Sequence, residues 1–155
     1  MNNFTRHITL LAAIMLVFVV AGHAQQSGFY VPKKGKIFFN GDTATIFSNV
    51  VNHGKMGVGK KAVVNFKGKK WQNSADAKIT DDSNGGEDAT GTGGLVRFNG
   101  IDSGRQQIDG GYNAVTREGP AFSHVQIQNA AGVELNNSTT KVRHELQLAL
   151  DAIAR

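Results

Sequence analysis

The sequence predicts an all-β protein, and more specifically an irregular right-handed β-solenoid that follows a cleaved signal peptide. Residues 122–135 alternate apolar and polar side chains on both sides of a short Asn/Gly turn, which is typical of strand, turn and strand. A Phe-x-Gly triplet recurs after apolar runs, beginning at Phe39, Phe66 and Phe98. The chain has 19 glycines and 2 prolines, which indicates short strands joined by tight turns. A Greek-key β-sandwich with glycine turns is the alternative.

The N-terminus predicts export. Arg6 and His7 precede an almost unbroken apolar run over residues 8–21, and Gly22-His-Ala24 supplies small residues at a cleavage site. This is the anatomy of a signal peptide spanning residues 1–24. The run falls short of the roughly 18–20 apolar residues that span a bilayer, and no later segment reaches that length. We therefore expect a secreted or cell-surface protein without a transmembrane span in its mature form.

The remaining chain divides by composition. Residues 25–35 are polar and contain Pro32, which predicts an extended arm. Residues 36–150 form the predicted β-repeat domain, interrupted at 81–94 by an acidic, glycine-rich loop without apolar periodicity, and residues 151–155 are a tail. Turns are predicted at 40–42, 52–54 and 57–59. Strands are predicted at 37–39, 43–51, 62–66, 71–73, 77–80, 95–98, 107–108, 121–128, 132–135 and 141–150.

The chain contains no cysteine. This excludes thiol catalysis, iron–sulfur clusters and zinc sites built on Cys. It also favours a bacterial envelope or secreted protein that is stabilised by packing rather than by disulfides.

Positive charge is concentrated in one segment, since residues 33–70 contain nine lysines and a single acid, Asp42. Such a segment attracts polyanions, although lysines also protect exposed strand edges from aggregation. The candidate polyanion-binding residues are Lys60, Lys61, Lys67, Lys69, Lys70 and Trp71.

Catalytic motifs are incomplete. His144-Glu145 begins a metalloprotease motif, but Leu148 occupies the position of its second histidine. Gly-x-Ser-x-Gly does not occur. Asp42, Asp102 and Asp109 follow repeated turns, and a glycosidase would need two such carboxylates together. Turn carboxylates more often bind local backbone N–H groups, so we expect no enzymatic activity and no cofactor.

The acidic loop supplies the best candidate cation ligands. Clustered oxygens suit Ca²⁺, but the spacing departs from the EF-hand loop because glycines occupy two of its ligand positions. We therefore assign no metal and interpret the loop as solvated. The candidate residues are Asp81, Asp82, Asn84, Glu87 and Asp88.

Several segments resemble an N-terminal module of secreted, adhesin-like surface proteins of Bacteroidota. The resemblance rests on residues 63–66 with Gly68, 71–73, 96–100 and 107–112, and on 122–135 followed by Lys141-Val142 and Leu146-Gln-Leu148. It implies β-solenoid-like stacking in a large envelope protein.

These observations predict an exported structural or adhesin-like β-repeat module without catalytic activity. The alternatives are a carbohydrate-binding or carbohydrate-active β-helix protein, which convergence of the three aspartates would favour, and a polyanion-binding surface protein. Extracellular glycans or other envelope components are the expected partners, without specific nucleic-acid binding. The predicted core at 122–135 consists of Val125, Ile127, Val133 and Leu135.

Overall fold

The computed structural model describes residues 28–82, 93–100, 102 and 104–149, and this part of the chain is all-β. The predicted signal peptide and the tail at 151–155 lie outside the described residues. The strands within the described ranges are β1 (Gly28–Val31), β2 (Lys36–Phe39), β3 (Thr43–Ile46), β4 (Asn49–Asn52), β5 (Lys55–Val58), β6 (Val63–Phe66), β7 (Lys70–Asn73), β8 (Lys78–Thr80), β9 (Leu95–Phe98), β10 (Gln106–Asp109), β11 (Ala121–Ile127), β12 (Val133–Leu135) and β13 (Lys141–Leu148).

The strands form three parallel sheets. Sheet A has the order β1-β4-β7-β10-β12, sheet B has the order β2-β5-β8, and sheet C has the order β3-β6-β9-β11-β13. The chain passes through A, B and C in the same order three times, and then alternates between A and C. We call one such passage a coil. Every described strand therefore pairs with the equivalent strand of the preceding coil, the following coil or both, rather than with its neighbour in sequence.

This topology is consistent with solenoid-like stacking. A Greek-key sandwich is built from antiparallel sheets, whereas all pairings between the named strands are parallel. The sandwich alternative is therefore wrong. Strands β11 and β12, which the sequence suggested as strand, turn and strand, belong to different sheets.

Three predicted boundaries are wrong. Residues 43–51 are two strands in different sheets, β3 and β4, separated by a corner at Phe47 and Ser48. Strand β5 runs through Gly57, where the sequence predicted a turn. Strand β1 lies within the segment predicted as an extended arm, and it pairs with β4 from Gly28 to Val31.

Only two of the three Phe-x-Gly triplets occupy equivalent positions in the stack. Phe66 and Phe98 are register partners at the ends of β6 and β9 in sheet C. Phe39 ends β2 in sheet B, where its partner is Val58. Two of the three triplets therefore mark equivalent positions in successive coils, and the third marks a different corner.

Aromatic side chains fill the centre of the core. Phe66, Phe98 and Phe122 project from sheet C and Trp71 projects from sheet A, and all four are fully buried. The ring centroids of Phe66 and Trp71 lie 5.3 Å apart, and those of Trp71 and Phe122 lie 5.6 Å apart. These edge-to-face contacts add to the hydrophobic stabilisation because the positive edge of one ring meets the negative face of the next.

Buried amides hold the corners between sheets. Asn52 Nδ2 donates to Asn73 Oδ1 at 3.2 Å, and the same oxygen accepts from Trp71 Nε1 at 3.2 Å. At the corner between sheets C and A, the fully buried Gln106 donates through Nε2 to the carbonyl oxygens of Phe66 and Gly68. The bonds of Asn73 join side chains at one corner, and those of Gln106 give backbone carbonyl oxygens at another corner a buried partner.

The C-terminal end of the described stack is open. Val125 is buried, as predicted, while Ile127 and Val133 pack against the core with partial exposure. Leu135 was predicted to be core, but its exposed fraction is 65%. No described strand pairs with the outer edge of β12 or β13, so their inward-facing side chains lack a further layer.

Candidate functional site

A cleft of about 540 Å³ opens where sheet B has no strand in the fourth coil. It lies between the corner after β7, the end of β10, the loop at 111–115 and the turn at 137–139. The lining combines neutral polar groups with Tyr112 and Val115, of which Val115 is 92% exposed. Asn137 has a φ of 56°, a left-handed conformation that is uncommon outside glycine.

Among the described residues that line this cleft, Asp109 is the only acid, and both of its carboxylate oxygens accept hydrogen bonds. Asp109 Oδ2 accepts from Asn137 Nδ2 at 3.3 Å, and Oδ1 accepts a short hydrogen bond from Ser138 Oγ. Ser138 Oγ in turn accepts from the N–H of Gly111 at 2.6 Å. The carboxylate therefore fixes the turn at 137–138 against β10.

The three candidate carboxylates do not converge. Asp42 lies in the exposed turn between sheets B and C in the first coil, and Asp102 lies in the exposed connection between sheets C and A. Asp109 is the last residue of β10, so the length of that strand separates it from the corner that contains Asp102. The expectation that these residues could align on one face is wrong, because they occupy different corners of the stack.

The sequence-predicted polyanion residues are also dispersed. Lys60 and Lys61 lie at the corner between sheets B and C, whereas Lys67 and Lys69 lie between sheets C and A, and Lys70 begins β7 of sheet A. Lys69 Nζ donates to the carbonyl oxygen of Arg105 at 2.5 Å. Trp71 is fully buried in the core and cannot contact a surface ligand, so its inclusion is wrong.

Of the candidate cation ligands, only Asp81 and Asp82 belong to the described residues. Asp81 is buried and pairs with Arg143 at 2.5 Å, with side-chain exposures of 2% for the acid and 11% for the arginine. Arg143 Nη1 also donates to the carbonyl oxygens of Ile79 and Ala121. Asp81 therefore anchors the C-terminal strand β13. Among the described residues, no cluster of three or more His, Asp or Glu side chains could hold a metal ion.

His144-Glu145, the start of the incomplete metalloprotease motif, lies in β13. His124 Nδ1 is 3.8 Å from Glu145 Oε2, and the imidazole centroids of His124 and His144 are 5.5 Å apart. These residues come together because β11 and β13 are adjacent in sheet C. The group lies near the open end of the stack.

The outer face of sheet C carries a hydrogen-bonded polar column. Arg97 donates through Nε to Gln126 Oε1 and through Nη1 to Asn65 Oδ1, the latter at 3.2 Å. Gln126 Nε2 donates to Gln147 Oε1 at 3.0 Å. These four residues are register partners on β6, β9, β11 and β13, and we call them the polar ladder.

The outer face of sheet B carries a column of lysines that sequence reasoning missed. Lys36 pairs in register with Lys55, and Lys55 pairs with Lys78. Adjacent strands lie about 4.8 Å apart, so three positive charges follow one another at that spacing. Within the described ranges, the ion pairs do not include any of these three lysines. We call this column the lysine ladder.

One aromatic ring lies on the same face as the lysine ladder. Phe38 is two residues from Lys36 on β2, and its ring covers Gly57 and Gly59, so a Cβ at Gly57 would overlap the ring and one at Gly59 would lie 2.8 Å from Phe38 Cζ. The two glycines are required because the ring occupies the space of their side chains. Phe38 remains partly exposed.

No known family model, curated protein or solved structure matches this chain. The described residues contain no helix with the length and apolar character needed to cross a membrane. The fold and the side-chain geometry therefore carry the functional argument.

Proposed function

We propose that this chain is an exported β-solenoid module with a structural, adhesin-like role and without catalytic activity. The observation that carries the proposal is the repeated pairing of each strand with the equivalent strand one coil away, in all three sheets. Such a stack grows by adding coils and presents long, regular faces. The right-handed winding and the export signal are parts of the same proposal.

The distribution of polar groups supports a scaffold. Asp81 and Asp109 are buried carboxylates that already have partners. Asp81 pairs with Arg143, and Asp109 accepts hydrogen bonds from Asn137 and Ser138. The buried amide of Gln106 binds backbone carbonyl oxygens at the corner between sheets C and A. Side chains that could perform chemistry are therefore used to join coils.

Deletion of one coil tests the solenoid. Removing residues 49–69 takes out β4, β5 and β6 together and connects Ser48 to Lys70, which lies one coil further at the same corner. In a stack with nearest-neighbour contacts, the shortened protein keeps a β-rich circular dichroism spectrum and unfolds cooperatively at a lower urea concentration. The control is a protein with a short insertion at Val115, which lies in an exposed loop. If this control folds and the deletion variant does not, the proposal is wrong.

Export is tested by expressing the full chain in a bacterium and sequencing the N-terminus of the protein outside the cytoplasm. We expect the mature chain to begin at Gln25. A protein that stays in the cytoplasm with its N-terminus intact would refute the export part alone.

The cleft beside Asp109 favours carbohydrate binding as a second candidate function. It combines amide and hydroxyl groups with one aromatic side chain, Tyr112, whose ring also contacts the Lys141 ammonium at 4.6 Å. Replacing Tyr112 by Leu should remove the binding of neutral glycans on a glycan array, while the Tyr112→Phe control keeps it. An unmodified protein that binds no neutral glycan would exclude this candidate.

A further inference from the structure

The lysine ladder has no structural explanation within its own sheet. Lysines protect exposed strand edges, but Lys55 lies on β5, the middle strand of sheet B, and both neighbours on its column are lysines. Like charges directly opposite each other destabilise a sheet. A column that opposes folding on a central strand therefore points to a ligand that neutralises it.

The other outer columns show that this fold can compensate such charges. On sheet A, the column Lys70–Gln107–Glu134 carries opposite signs at its ends, and Gln107 Nε2 donates to Glu134 Oε2 at 3.4 Å. On sheet C, the positive charge of Arg97 lies between two amides. Uniform charge is specific to sheet B among the columns described.

We infer that the outer face of sheet B binds an anionic polysaccharide with one carboxylate on each sugar. Lys36, Lys55 and Lys78 pair with carboxylates of the polymer, and Phe38 packs against a sugar ring beside them. The inference goes beyond the scaffold role and relies on the proposed export only for access to extracellular glycans.

The spacing of the charges favours this class of polymer. The lysines repeat at the inter-strand distance of about 4.8 Å, which is comparable to the length of one sugar in a linear hexuronate chain. The ladder contains no arginine, the residue that pairs with phosphate in a bidentate manner.

Phe38 adds a contact that a simple polyanion site does not need. The face of an aromatic ring carries partial negative charge, so it attracts the polarised C–H groups of a sugar. Because Gly57 and Gly59 have no side chains, the ring can lie directly on the backbone of β5. It remains partly exposed next to Lys36. The site therefore combines cations with one sugar-sized apolar platform.

The experiment compares two triple variants that remove the same charge. Lys36→Gln/Lys55→Gln/Lys78→Gln removes the ladder. Lys67→Gln/Lys69→Gln/Lys70→Gln removes two lysines at the corner between sheets C and A and the first residue of β7 in sheet A, all outside sheet B. Binding of the purified protein to polygalacturonate is measured by calorimetry at two salt concentrations, after circular dichroism has shown that both variants fold. We expect at least a tenfold higher Kd for the ladder variant, about threefold or less for the control, and weaker wild-type binding at higher salt.

A third variant separates sugar recognition from charge. Phe38→Leu should weaken binding to polygalacturonate by about threefold to tenfold and leave binding to inorganic polyphosphate unchanged, because polyphosphate has no sugar face. An equal loss in the two triple variants, or no binding by the wild-type protein, would overturn the proposed site. Equal or tighter binding of a single-stranded DNA of the same charge would overturn the assignment to a polysaccharide. None of these results bears on coil deletion or export, which test the scaffold separately.

Discussion

On the outer face of sheet C, Arg97 lies between Asn65 and Gln126 and donates hydrogen bonds to both. On the outer face of sheet B, Lys55 lies between two further lysines. Both columns arise from the same parallel pairing, which places equivalent residues of successive coils side by side. The difference shows that stacking alone does not determine whether a charged side chain has a hydrogen-bonding partner or a like charge beside it in its column.

The energies of the two columns have opposite signs. A hydrogen bond to a charged group stabilises a protein by about 1.5–3 kcal/mol, less where solvent reaches it. Two unit charges 5 Å apart repel by about 0.8 kcal/mol in bulk water. The polar ladder therefore joins coils, whereas the lysine ladder weakly opposes their stacking and leaves its charge available to solvent.

The largest effect is expected at Arg143, which ties β13 of sheet C to the end of β8 in sheet B through Asp81 and the carbonyl oxygen of Ile79. Arg143→Met removes the arginine that pairs with the buried Asp81 carboxylate, so it should lower the free energy of unfolding by about 3 kcal/mol. Urea denaturation measures this loss.

The double variant Asp81→Asn/Arg143→Met is the matched control. It also removes the buried negative charge of Asp81 and should recover part of the stability that the single Arg143→Met variant loses. A single-variant loss below about 1 kcal/mol would show that the ion pair does not hold the two sheets together.

A smaller loss is expected in the polar ladder. Arg97→Met removes the hydrogen bonds to Asn65 and Gln126 but leaves amides that solvent can still reach, so the free energy of unfolding should fall by about 1 kcal/mol. Arg105→Met is the control, since Arg105 is exposed and makes a single 3.4 Å bond to the carbonyl oxygen of Ala131. Equal losses for the two variants would mean that the polar ladder has no special role.

The smallest effect is expected in the lysine ladder. Lys55→Gln relieves two repulsions, so the free energy of unfolding should stay unchanged or rise by up to about 0.5 kcal/mol at low salt, and the gain should disappear at high salt. Thermal unfolding at two ionic strengths checks this. A clear loss of stability would show that Lys55 stabilises the folded protein through its own contacts.

The sequence predicted most strands, because alternation of apolar and polar residues is a local signal. It also predicted that 122–135 belongs to a stack, and β11 does pair with strands on both sides. Corners were harder. The corner at Phe47 and Ser48 contains no glycine or proline, and Phe47 is 75% exposed, so nothing local marked the change of sheet.

The errors at β5 and at the candidate sites have a common cause. Gly57 looks like a turn residue, yet it is glycine because Phe38, 19 positions away, lies over it. Trp71 looks like a ligand platform beside lysines, yet it faces Phe66 in the core. The lysine ladder depends on the spacing of Lys36, Lys55 and Lys78 in three-dimensional register, which a single sequence does not display.

The central claim is that the polar ladder stabilises the stack and the lysine ladder binds a ligand. The most direct test measures, for Arg97→Met and Lys55→Gln in parallel, both the free energy of unfolding in urea and the Kd for polygalacturonate. We expect Arg97→Met to lose about 1 kcal/mol of stability with unchanged Kd, and Lys55→Gln to keep its stability with a Kd about threefold higher. If both variants changed the same quantity, or if Lys55→Gln lost stability and kept its affinity, the distinction between the two ladders would be wrong.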